Sequence, residues 1–192
     1  MMANADKNLF NKIIMVDETW CFAYDPETKQ QISEWVGETS PWLKKLKLER
    51  SNIKTMLIIF FNSQGIVYKE FVPRGKPVNA EFYKGVMDHL PKNIQQVSLT
   101  AFCCRDLFFL HNNVPAHRSA SVCHFLIQKN VKTLYRPLYS PDLSRLDYFL
   151  FPKLKMKFKG LHFADVAEIQ EVVTDELKKV QKEEFLAAFQ KL

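Results

Sequence analysis

The sequence predicts an α/β domain: a mixed sheet of about five strands flanked by helices. Three observations carry this. Residues 12–72 hold apolar runs of strand length separated by turn signals. Residues 79–135 alternate helix-type and strand-type spacing. From about Leu146 the apolar spacing is helical to the end. At 192 residues, 47% of them hydrophobic and 16 of them Phe, the chain is long enough for one domain, 1–192, with a sizeable core.

Taken in order, Lys12–Tyr24 alternates and carries Ile13, Ile14, Val16, Trp20 and Phe22, a strand or a strand with a bend. Glu34–Val36 reads as a short second strand, and Gly37–Arg50 as a long exposed loop with the cations Lys44, Lys45, Lys47 and Arg50. Lys54–Phe61 is continuously apolar, as a buried strand is. Asn62-Ser63-Gln64-Gly65 is a turn signal, and Ile66–Val72 is the returning arm of a hairpin. Asn79 is placed to cap a helix with Phe82, Val86 and Leu90 on one face. Leu107–His111 is a short apolar strand ended by Pro115. His117–Lys129 reads as a helix with Val122, Phe125 and Leu126 inward, and Val131–Tyr135 as a further strand. Pro137 and Pro141 bracket a loop. The helical remainder divides near Gly160 and Gln181, and Pro152 is tolerable there only near a helix start or as a kink. An antiparallel meander followed by helix, strand, helix, strand and terminal helices is the layout of the ribonuclease-H-like fold.

Composition narrows the function classes. No run of 18 uncharged apolar residues exists, so a membrane span is not expected. The stretch 1–12 is polar and lacks the apolar core of a signal peptide. Cys21, Cys103, Cys104 and Cys123 have no metal-type spacing, and a reducing intracellular compartment is the simplest reading. A net charge of +6 suits an anionic partner such as nucleic acid.

The residues that carry chemistry lie in three stretches: Val16-Asp17-Glu18; Leu110-His111-Asn112-Asn113-Val114-Pro115-Ala116-His117; and Tyr139-Ser140-Pro141-Asp142-Leu143 followed by Asp147-Tyr148. Between Asn112 and Asp147 lie 34 residues. Phosphoryl transfer with two metal ions needs carboxylates converging from separate elements, with the ions ~3.5–4 Å apart. Asp17 within the first strand, Asn112 at the end of the fourth and Asp147 at a helix start can meet at one end of a sheet. Each also has a plainer reading. Asp147 suits the N-terminal dipole of any helix. Asp17 can face water from a strand edge. Asn112-Asn113 before Pro115 is ordinary turn chemistry. One of His111 and His117 can be read as a metal ligand; the favoured, plainer reading is that His111 points into the core side and His117 caps the next helix.

In this order and at these distances, the motifs resemble the catalytic domain of mariner-family transposases. Trp35-Val36 resembles the family's segment after the first strand. Asn113, Pro115 and His117 resemble its second-acid motif, and Tyr139–Leu143 the loop before its third acid. The likeness runs from Ile13 to the end. It implies a ribonuclease-H-like domain derived from an enzyme that cuts and joins DNA strands with two Mg²⁺ or Mn²⁺ ions. By position Asp17 would bridge both ions, Asp147 would hold the second, and residue 112 the first. The family carries Asp where this chain has Asn112, so metal binding and cleavage are expected to be weakened or lost. Stand-ins are poorly placed: Asp106 is roughly 20 Å back along the strand, Glu18 leaves the opposite face from Asp17, and Asp142, the best of them, lies in the proline-bracketed loop. The family's His residues at the positions of His111 and His117 are not counted among its metal-binding acids.

The family's helix-turn-helix units would precede Lys12 and are not in this sequence. Expected DNA contact is therefore non-specific, through phosphates, at Lys44, Lys45, Lys47, Arg50, Lys153 and Lys155, with Lys157 and Lys159 nearby. The resemblance also implies a nuclear site of action and a Gly37–Arg50 loop that touches a second subunit of a homodimer. A different class of function stays open: a non-enzymatic DNA-binding or self-associating module that keeps the fold as scaffold.

Overall fold

The computed structural model describes residues 12–27, 49–97, 107–111, 114–129, 131–135 and 149–190. Five strands lie in one sheet: β1 (Ile13–Phe22), β2 (Lys54–Asn62), β3 (Gly65–Val72), β4 (Leu107–His111) and β5 (Val131–Tyr135). Their spatial order is β3-β2-β1-β4-β5. β1, β2 and β3 pair antiparallel, and β1–β4 and β4–β5 pair parallel. The sheet is thus mixed and five-stranded, as expected, with the longest strand at its centre.

The β2–β3 connection is the anticipated tight turn. The Asn62 side-chain oxygen accepts from the backbone N–H groups of Gln64 and Gly65, and Gly65 takes φ 142°, open to a residue without a side chain. A register shift between Phe60 and Phe61 lets β3 accommodate one extra residue at that end.

Among the described residues five helices cover the two faces: α1 (Ala80–Val97), α2 (Ala120–Gln128), α3 (Phe151–Phe158), α4 (Val166–Lys178) and α5 (Lys182–Gln190). Strand alternation sorts the core into two layers. Ile14, Val16, Ile58, Phe60 and Phe109 pack with Tyr83, Val86, Met87 and Leu90 of α1 and with Val122 and Leu126 of α2. Met15, Cys21, Leu57, Ile59, Phe61 and Leu110 pack with α3, α4 and α5 through Phe151, Leu154, Ile169, Val173, Leu177, Phe185 and Phe189.

Asn79 caps α1 by accepting from the Phe82 N–H at 2.9 Å. Pro152 lies in the first turn of α3, where its missing N–H leaves no intrahelical bond unmade. One boundary differs from expectation. α2 begins at Ala120, not at His117, because Ser119 is the N-cap and its hydroxyl accepts from the Val122 N–H. Residues 115–118 form a turn closed by His117 N–H to the Val114 carbonyl at 2.9 Å. His117 therefore caps nothing. The short strand at 34–36, most of the 37–50 loop and the proline-bracketed loop lie outside the described residues.

Candidate functional site

Asp17 sits in mid-β1 opposite Ile59 of β2, at the centre of the sheet. On the other side, β1 runs parallel to β4 with Ile13, Ile14 and Met15 beside Phe108, Phe109 and Leu110. Asp17 is only 7% exposed, so it does not face water from an edge. Alternation turns it to the layer of Met15 and Cys21, under α3–α5. Its Oδ1 accepts from the Glu18 backbone N–H at 2.9 Å. Thr19 and Thr55 are buried on the same face, and neither hydroxyl has a hydrogen-bond partner among the described residues. A carboxylate placed there loses hydration, which only compensating partners or cations offset.

Cys21 continues that stripe. Burial pushes its thiol up to about 12, and the nearby Lys155 ammonium acts in the opposite sense. α3 packs against this face of β1 through Leu154 and Phe158.

The other face of β1 holds a polar cluster that sequence reading did not single out as a unit. Glu18 points into the α1/α2 layer, and its Oε1 lies 3.0 Å from His117 Nε2. This is a close polar contact without aligned hydrogen-bond geometry. His117 is 1% exposed. Its ring stacks on Tyr83 at 4.0 Å between centroids, and His111 meets it edge-on at 5.5 Å. Tyr83 is fully buried and its hydroxyl has no hydrogen-bond partner among the described residues. Burial, then the Glu18 and Asp17 carboxylates, hold that phenol far above its ordinary range. Period-two alternation at Asp17-Glu18 was the signal that could have revealed this cluster. Sequence alone did not say which side chains of α1 and of the α2 entry turn would meet Glu18.

The remaining candidates divide in two. Asn112, Asp147, Lys44, Lys45 and Lys47 lie outside the described residues, as do Asp106, Asp142 and the Trp35-Val36 pair. Among the described residues, no three His, Cys, Asp or Glu side chains gather to hold a metal ion. Arg50 donates through Nε to Asp25 Oδ1 at 2.7 Å and lies 5.2 Å from the Phe22 ring centre. Lys153 is ion-paired with Glu184 of α5. Lys155 and Lys157 are exposed on α3. None of the described helices is long and apolar enough to cross a membrane.

Comparison with known proteins places this arrangement. Residues 25–101 match the family model "Transposase (partial DDE domain)". The Mariner Mos1 transposase of Drosophila mauritiana is 30% identical over 150 residues, 77% of this chain and 42% of that protein. The human histone-lysine N-methyltransferase SETMAR is 23% identical over 163 residues, 85% of this chain and 23% of that protein. The chain thus spans less than half the length of these curated relatives. Among solved structures, the Mos1 mariner paired-end complex with Mn superposes with a TM-score of 0.87 at 25% identity, covering all of this chain and 55% of that one. The catalytic domain of Mos1 mariner transposase superposes at 0.77 and 22% identity, covering all of this chain and 81% of that one. In fold and in sequence, the chain is similar to the catalytic domain of mariner transposases, and its sheet and helices are the ribonuclease-H-like architecture of that domain.

Proposed function

We propose that the chain, similar throughout to the mariner transposase catalytic domain, is a transposase catalytic domain whose metal site is weakened at Asn112. The observation that carries the reading is Asp17: a buried carboxylate at the centre of the sheet, on the strand that runs parallel to β4. β4 ends at His111, so residue 112 follows directly on the strand neighbouring Asp17.

Asp17, Asn112 and Asp147 are the residues that would hold Mg²⁺ or Mn²⁺. Their donors are hard oxygens, which both ions accept. When bound, such ions polarise phosphoryl oxygens and activate the attacking hydroxyl. The buried Thr19 hydroxyl, two residues on along β1, adds a neutral oxygen to the same face. Asn112 brings an oxygen without a charge, so two aspartates face the charge of two divalent ions where the family has three. Lys155, exposed on α3, would meet the phosphate backbone without reading bases. DNA binding is then sequence-independent and falls steeply with salt. Mos1, the relative named above, is known in complexes that pair transposon ends, and the metal and DNA assigned here follow that likeness. Dimerisation through residues 37–50 and a nuclear site of action complete the reading.

The test is cleavage of a labelled duplex during Mg²⁺ and Mn²⁺ titrations, with wild type beside Asn112→Asp. Little or no cutting with Mg²⁺, slow nicking with Mn²⁺, and a rise in both in the variant are expected. A folded variant that gains neither metal binding nor nicking refutes Asn112 as the limiting defect. Duplex binding without any metal response in either protein favours the non-enzymatic module instead.

A further inference from the structure

We infer that the turn joining β3 to α1 is a further phosphate-contacting site for nucleic acid, acting through Arg74 and Lys76; this rests on the reading of DNA binding through phosphates given above. The turn is short and stiff. The Lys76 N–H donates to the Pro73 carbonyl at 3.1 Å, and Gly75 stands at φ 80° in the third position, as a type II turn requires. Pro73 and Pro77 fix their own φ on either side. The Asn79 N–H then donates to the Pro77 carbonyl at 3.0 Å. Arg74 and Lys76 therefore project, exposed, from a backbone with few alternative states. The tip itself is open: a side-chain carbon built on Gly75 would meet nothing within 4 Å. A phosphate backbone has room to approach closely there.

The surroundings carry charge of one sign. The turn walls a cleft of about 320 Å³ that Lys54 and Trp20 also line, and no acidic residue lines it. Elsewhere the exposed cations have found acids. Arg50 meets Asp25, Lys129 meets Asp88, Lys153 meets Glu184, Lys178 meets Asp175 and Lys179 meets Glu176. Among the described residues neither Arg74 nor Lys76 has such a partner. A guanidinium offers a planar fork to phosphate oxygens and an ammonium a point charge, so the pair suits successive groups of a nucleic-acid backbone. Contacts of this kind hold the strand without reading bases.

Sheet register puts the turn within reach of a duplex seated at Asp17. β3 ends at Val72, which pairs with Met56, and Met56 pairs with Trp20, three residues beyond Asp17. The offset is ~10 Å along β1 and two strand spacings of ~4.8 Å across. Roughly four steps of ~3.4 Å along one DNA strand cover that distance.

The experiment titrates the whole chain against a labelled duplex of arbitrary sequence by fluorescence anisotropy, without divalent ions, over a salt series from about 50 to 200 mM. Variants are Arg74→Gln, Lys76→Gln, the two together, and Lys155→Gln. The control is Lys178→Gln with Lys179→Gln, which removes the same charge from two acid-paired lysines. Each phosphate contact adds ~0.9 to the slope of log affinity against log salt, so each turn variant should lower the slope by about 0.9 and the double variant by about 1.8. Affinity at ~0.1 M salt should fall about eightfold per contact. The control pair should keep the wild-type slope. A double turn variant with the wild-type slope overturns the inference, as does an equal loss in the control pair, which would make the effect one of net charge alone. If the turn variants respond as expected and Lys155→Gln does not, the turn is a phosphate contact and the assignment of Lys155 falls. If only Lys155→Gln lowers the slope, DNA binding through phosphates stands and the turn has no part in it. Wild type that shows no salt-dependent binding overturns both.

Discussion

Replacing Tyr83 by Phe should stabilise the protein. The side chain is fully buried in α1, and its hydroxyl has no hydrogen-bond partner among the described residues. In the unfolded chain that hydroxyl is hydrated. Folding strips the water away and returns no partner among the described residues, a loss of about 1–3 kcal/mol. Phe keeps the ring stacked on His117 and the packing against Val86 and Met87, so little else changes. At roughly 2–4 °C per kcal/mol for a domain of this size, Tm should rise by roughly 2–12 °C. The pH dependence sharpens the test. Burial and the Glu18 and Asp17 carboxylates hold the folded phenol well above its ordinary value. A group whose folded pKa is raised contributes stability below its unfolded pKa, near 10, and loses it as pH climbs from there. Wild type should therefore weaken above about pH 10 more than Tyr83→Phe does, and the gap should widen with pH. Urea melts of both proteins at neutral and alkaline pH give the comparison. A variant less stable than wild type by 1 kcal/mol or more would refute the reasoning, because the hydroxyl would then have a partner worth keeping.

Two further outcomes follow from the opposite face. Phe61 is fully buried, 5.5 Å from the Phe189 ring and 5.9 Å from that of Phe185, so Phe61→Ala should cost about 3–5 kcal/mol and lower Tm by roughly 6–20 °C. A loss under 1 kcal/mol in a calorimetric scan would mean that α5 does not dock there. Cys21, with its thiol pushed up to about 12 by burial, should resist alkylation at pH 8 while partly exposed Cys123 reacts. Peptide mapping that finds Cys21 modified first would contradict its placement.

Much of the fold was legible because each element carried its own local signal. The apolar run of β2, the Asn62–Gly65 turn and the Asn79 cap are period and turn chemistry that tertiary context had no reason to override. The start of α2 was misread because His117 is flanked by residues compatible with a helix, and Ser119 two positions on was not recognised as the better cap. Asp17 was found from its motif, but that it is buried and not edge-exposed depends on β4 arriving from almost a hundred residues away. The Glu18–His117–Tyr83 cluster was not legible. Alternation says that Glu18 leaves the face opposite Asp17, but the rotation of α1 and the turn at 115–118 decide what it meets. Arg50 shows the same limit: its charge was read as free for phosphate, and folding puts Asp25 beside it.

The proposed metal site makes a prediction about stability as well as activity. Adjacent strands are ~4.8 Å apart. On the proposed reading, Asn112→Asp sets a second carboxylate at about that spacing from buried Asp17. Two like charges ~5 Å apart at an effective dielectric of 20 repel by on the order of 3 kcal/mol, an upper bound that protonation of one partner would reduce. The metal-free variant should therefore melt below wild type at neutral pH. The difference should shrink as pH falls through the raised carboxylate pKa, since the neutral acid repels nothing. Divalent ions reverse the order. A ligand at a hundred times its Kd adds about 2.7 kcal/mol, enough to offset most of that repulsion. In EDTA the sequence of melting temperatures should be wild type above variant. In Mn²⁺ the variant should gain several degrees and wild type less, because Asn112 contributes oxygen without charge. Thermal scans at three conditions test this: EDTA at neutral pH, EDTA at acid pH, and excess Mn²⁺. If Asn112→Asp melts with wild type in all three, residue 112 does not stand near Asp17. The defect in the site would then have to be sought in another residue.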